Sequence, residues 1–162
     1  MTSSIGKKSV ALGILILVVV FASMVYPHCQ IPCGIYGDPA RFDMIAENIT
    51  AIERSMKLIA DLSQTDNPNF NQIVRWVQNK EKHADDITHI ITYYFMAQRV
   101  KPALKTDSQE YDEYVKKLTL LHKMLVYTMK AKQTTDLSNV EKLRTLLAKF
   151  RAVYFSEHSH KH

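Results

Sequence analysis

A chain of 162 residues, 46% hydrophobic and 23% charged, has the size and composition of one ordinary globular domain, and its 4 glycines and 5 prolines argue against a turn-rich sheet protein. The formal charge is +5, but Lys7 and Lys8 stand in a first stretch of 27 residues without an acid, which leaves nineteen basic against sixteen acidic residues, a net +3, beyond it. The basic residues are dispersed among acids rather than gathered on one face with aromatics, which sets nucleic acid aside as a partner, while a mild positive field still favours encounter with a small anion.

The first predicted element is a leader, residues 1–27. An uncharged apolar run of 13 residues, 10–22, follows Lys7 and Lys8 and gives way to Ser23, Met24, Val25, Tyr26 and Pro27. That is the pattern of a signal peptide, basic region first, with a small-residue cutting point after Ala22. Extended to Tyr26 the run has 17 residues, the lower edge of what spans a bilayer, so an uncleaved anchor is the alternative. Either reading places the protein outside the cytoplasm or on the membrane through its leader; the remaining alternative is an apolar pro-segment on a cytoplasmic protein.

Residues 28–37 form a short segment that holds both cysteines, Cys29 and Cys33. Beyond it, Asp38 and Pro39 carry a helix start signal, an N-cap acid followed by proline in the first turn. Phe42, Ile45, Ile49, Ile52, Met56 and Ile59 then recur at spacings of three and four, which predicts a helix over about 39–62. Asp66, Asn67, Pro68 and Asn69 break the chain, and Ile73, Val77, Ala84, Ile87, Ile91 and Tyr94 predict a second helix, roughly 69–99, stopped by Lys101 and Pro102. Thr106, Asp107 and Ser108 offer caps for a third helix, with Tyr111, Tyr114, Leu118, Leu121, Leu125 and Met129 on its apolar side and an end near Lys132. Thr134, Thr135 and Asp136 precede the fourth stripe, Val140, Leu143, Leu147, Phe150 and Tyr154. A polar tail over 156–162 with His158, His160 and His162 closes the chain. Four amphipathic helices joined by short loops predict an all-α, antiparallel up-and-down four-helix bundle over 38–155, because each stripe is buried only against the others.

Two chemistries suit the cysteines. In an exported protein a disulfide is the ordinary reading, although a ring closed four residues apart restricts the unfolded chain little. The other is metal binding. Two thiolates, a deprotonated backbone amide and an α-amine form a planar N2S2 set, which suits Ni(II) or Cu(II). If His28 were the first residue, its amine and the Cys29 amide would close a five-membered chelate ring, with the imidazole available as an axial ligand.

His28, Cys29, Pro32, Cys33, Gly34 and Tyr36, at these spacings ahead of a four-helix pattern, closely resemble the hook of nickel superoxide dismutases. The resemblance implies one nickel ion per subunit, bound by the amine and imidazole of His28, the thiolate and amide of Cys29 and the thiolate of Cys33, with Tyr36 guarding the substrate pocket. It implies Ni(II)/Ni(III) cycling that turns superoxide into dioxygen and hydrogen peroxide. It further implies a cis bond before Pro32, a homohexamer, and a carboxylate early in the first helix that steadies the His28 imidazole, for which Asp43 is the candidate. The family's arginine partner on the second helix is not evident; His83 stands near that place. A free His28 amine requires a maturation peptidase to cut between Pro27 and His28, and this leader departs from the short pro-segment usual in the family. Competing readings are a nickel or copper carrier that keeps the hook uncut, and a membrane-tethered helical module with a Cys29–Cys33 disulfide. His83, His89 and His122 are expected on the surface or between helices, and Tyr93, Tyr94 and Phe95 in the core or a subunit contact.

Overall fold

Helix α1, Asp38–Ser63, begins where Gly37 holds an extended backbone and Pro39 presets the first turn. The computed structural model describes residues 37–106 and 108–156; the leader, the cysteine-bearing segment through Tyr36 and the histidine tail lie outside the described residues. Helix α2, Phe70–His89, starts at Asn69, whose side chain accepts a hydrogen bond from the Gln72 amide at 3.2 Å. It runs without a break into a π-helical segment, Ile90–Arg99. Helix α3 is Ser108–Gln133 and helix α4 Ser138–Ser156. The Asp136 carboxylate accepts the Ser138 amide at 2.9 Å, satisfying a donor at the start of α4.

Cross-helix bonds fix the directions. Ser55 meets Asn79, Asn48 meets His83, and Asp38 meets Tyr94, so partner numbers rise on α2 as they fall on α1. Glu53 with Arg144 and Asp43 with Arg151 show the same reversal between α1 and α4. Each helix packs on its chain neighbour and α1 closes against α4. This is the expected antiparallel up-and-down bundle.

The stripes of α1 and α4 are buried throughout, from Phe42 to Ile59 and from Val140 to Tyr154. Two others differ. On α2, Ile73 is half-buried and Val77 exposed, and the core begins only at Lys80 and Ala84. On α3, Met129 is 59% exposed, and the inward face is Lys117, Leu121, Met124, Thr128 and Ala131. That face carries small and polar residues, which a count of apolar positions skips. Lys80 accounts for one such burial: its ammonium donates to the carbonyls of Ala131 (3.0 Å), Lys132 and Thr134 (3.3 Å), satisfying acceptors that the end of α3 leaves open. Helix α4 also takes in Ser156, one residue into the expected tail. Among the described residues, no helix is long and apolar enough to cross a membrane.

Candidate functional site

At the end of the bundle where α1 starts, aromatic rings fill the core. Phe42 packs on Phe95, Phe150, Tyr154 and Phe155 at centroid distances of 4.9 to 5.5 Å, and Phe95 meets Phe150 edge-on at 5.0 Å. A polar cluster lies beside this floor. Tyr94 Oη donates to Asp38 Oδ1 at 2.5 Å, Tyr154 Oη donates to Asp38 Oδ2 at 2.8 Å, and Arg99 Nε pairs with Oδ1 at 2.9 Å. Arg99 Nη2 also donates to Tyr94 Oη at 3.0 Å. The guanidinium groups of Arg41 and Arg99 lie over the Tyr94 ring, 5.2 and 4.9 Å from its centroid.

The π-helical segment makes part of this geometry. In an α-helix, residues five apart point about 140° away from each other. The wider turn over Ile90–Arg99 brings Tyr94 and Arg99 to one side, and its ladder ends with the Val100 amide on the Phe95 carbonyl at 2.8 Å. Periodicity alone does not reveal the change, since Ile87, Ile91 and Tyr94 fit either turn. The expected cap is also corrected: Gly37 occupies the cap position and no side chain caps α1, because the Asp38 carboxylate faces Tyr94, Tyr154 and Arg99 instead.

Burial pushes the Asp38 pKa upward, but the two phenols and the Arg99 charge outweigh it and hold the carboxyl below the usual carboxylate range. Tyr94 and Tyr154 move up, first through burial and then through the bond to Asp38.

Of the residues singled out in the sequence, Asp43 is described: it is 63% exposed on α1 and pairs with Arg151 of α4 at 3.0 Å. His83 Nδ1 hydrogen-bonds Asn48 Oδ1 at 2.7 Å, and His89 stacks on Tyr93 at 4.6 Å. Close by, Arg41, Met44, Glu47, Asn48, Asp86 and His89 line an open cleft of about 280 Å³. His28, Cys29, Pro32, Cys33 and Tyr36 lie outside the described residues. Among the described residues, no group of three or more His, Cys, Asp or Glu side chains is placed to hold a metal ion. Both cysteines of the chain are in the 28–36 segment.

Residues 23–158 match the family model of nickel-containing superoxide dismutase. The chain belongs to that family. The match takes in the whole described bundle and all five undescribed candidates, and it starts after the apolar run of the leader. As a nickel-containing superoxide dismutase the protein is an oxidoreductase with a nickel cofactor. No curated protein and no solved structure matches the chain.

Proposed function

We propose that this superoxide dismutase carries its nickel in residues 28–36, with His28 donating its amine and imidazole, Cys29 its thiolate and amide, and Cys33 its thiolate. The observation that carries the reading is the family match over residues 23–158, which encloses both cysteines of the chain. The donor set fits the metal, since thiolate and nitrogen donors in one plane suit Ni(II) and lower the potential at which Ni(III) forms. When bound, nickel supplies one-electron chemistry, alternating between Ni(II) and Ni(III) as one superoxide is oxidised to dioxygen and the next is reduced to hydrogen peroxide.

The protein's residues do the rest. Tyr36, at the end of the hook, restricts access and holds the water that supplies protons. Pro32 turns the segment so that the two thiolates converge. Asp43 keeps acceptor capacity beyond its bond to Arg151, because a carboxylate offers about four lone-pair directions, and it steadies the His28 imidazole. The net positive charge outside the leader draws the anionic substrate in.

A homohexamer is part of this reading. Exposed apolar side chains on several helices, among them Phe70, Val74, Tyr93, Val126 and Met129, support association. The leader exports or tethers the chain, and a peptidase then frees the His28 amine. Nickel content and dismutase turnover, measured on the matured chain and on its Cys29→Ser and Cys33→Ser variants, test the assignment. Full nickel and turnover in either variant would overturn it.

A further inference from the structure

Helix α1 buries the stripe from Phe42 to Ile59 and turns its opposite side outward. On that outer side Ala46, Thr50 and Ala51 leave an open groove of about 530 Å³ against Trp76 of α2, which Glu47 and Arg54 also line. Two neighbouring clefts share its lining, one through Glu47 and the other through Thr50 and Arg54, so the open face continues from Met44 to Asp61. At about 1.5 Å per residue that makes a furrow of roughly 25 Å along the helix.

Two charges in the furrow are unmatched. Glu47 and Arg54 are both exposed, and among the described residues neither has an ion-pair partner. Other surface charges of α1 do: Glu53 holds Lys57 and Arg144, and Asp43 holds Arg151. Glu47 and Arg54 share one face of the helix but stand about 10 Å apart along its axis. The outward side chains between them are Thr50 and Ala51, short enough for a second helix to come close.

This pattern is complementary to itself. A twofold axis between residues 50 and 51, with two α1 helices antiparallel across it, sets Glu47 of each copy beside Arg54 of the other. A uniformly acidic or basic partner would meet a like charge at one of the two positions, whereas a second copy meets an opposite charge at both. Trp76 lies on the flank, an aromatic of the kind enriched where protein surfaces are buried.

We propose that the outer face of α1 is a twofold contact between copies of this chain, with Glu47 and Arg54 as its reciprocal pair. The inference rests on the association proposed above and names one of its surfaces. At roughly 25 Å by 10 Å the face falls well below the about 800 Å² per copy of a standalone interface, so it orients copies that other surfaces also hold.

Sedimentation velocity of the purified full chain over a range of concentrations tests the contact, on the unsubstituted protein, on Glu47→Arg, on Arg54→Glu and on an equal mixture of the two variants. Each variant alone sets like charges against each other across the twofold. Its dissociation constant is expected to rise about tenfold, and less at high salt, with the circular dichroism unchanged. In the mixture, both charges of one variant face the opposite sign on the other, so association returns. A purely structural role for either residue would not give that rescue. Association unchanged in both variants, or weakened and not recovered on mixing, overturns the contact alone. An unsubstituted chain that sediments as a monomer overturns the proposed association, and this contact with it, and leaves the furrow to a different partner.

Discussion

Cys29 and Cys33 are each replaceable by serine with the loss of a single soft donor, so their substitution separates chemistry from folding. Cys29→Ser and Cys33→Ser are predicted to abolish nickel uptake and turnover while circular dichroism shows an unchanged helical bundle; a drop in helicity would point to a structural role instead. Asp38 and its phenols make a prediction about pH. A carboxyl whose folded pKa is depressed stabilises the fold above its unfolded value, near 3.8, and that contribution is lost as pH falls through the folded value. A phenol whose folded pKa is raised contributes fully below its unfolded value, near 10, and the contribution is lost as pH rises toward the folded one. Tyr154→Phe is therefore expected to reduce stability in urea most near about pH 7, with the deficit shrinking toward about pH 11. A deficit constant across that range would show that the Asp38 bond is not linked to the phenol proton. At this scale the family was legible in the sequence, because the order and spacing of His28, Cys29, Pro32, Cys33, Gly34 and Tyr36 are specific. The cluster of Asp38, Tyr94, Tyr154 and Arg99 was not, since Asp38 read as a cap and Tyr94 and Tyr154 as two more apolar positions.

Among the helices, α1 and α4 follow their sequence patterns to within a residue or two because their buried faces are uniformly apolar. Helix α3 departs because Lys117, Thr128 and Ala131 complete its inward face, and α2 because its first turns carry Phe70 and Val74 on the outside. Lys80 shows why such positions escape a hydropathy reading: its stem is buried while its ammonium closes off the carbonyls at the end of α3. Lys80→Met keeps the stem and removes the donor. It is expected to lower unfolding stability by about 1–3 kcal/mol, the cost of leaving buried acceptors unsatisfied, as read from urea titration. No change would mean that water replaces the ammonium. Phe42→Ala, in the middle of the aromatic floor, is expected to cost about 3–5 kcal/mol in the same assay.

For the whole molecule, the described residues of the bundle hold no group of three or more metal-ligating side chains, and the proposed chemistry lies in residues 28–36 ahead of it. The fold follows from four stripes that must be buried together, and the family from six residues before them. What neither the stripes nor the motif specify is the moment at which the site comes into being. In the proposed site, a His28 still in peptide linkage to Pro27 lacks its amine donor, and cutting that bond would free it. On the proposed reading, cutting that one peptide bond is the step on which metal uptake depends. The most direct test is the intact mass of the native protein, recorded together with its nickel content. A chain that starts at His28 and carries one nickel ion is the expected result; a chain starting at Met1 or Ser23, free of nickel, would contradict the assignment.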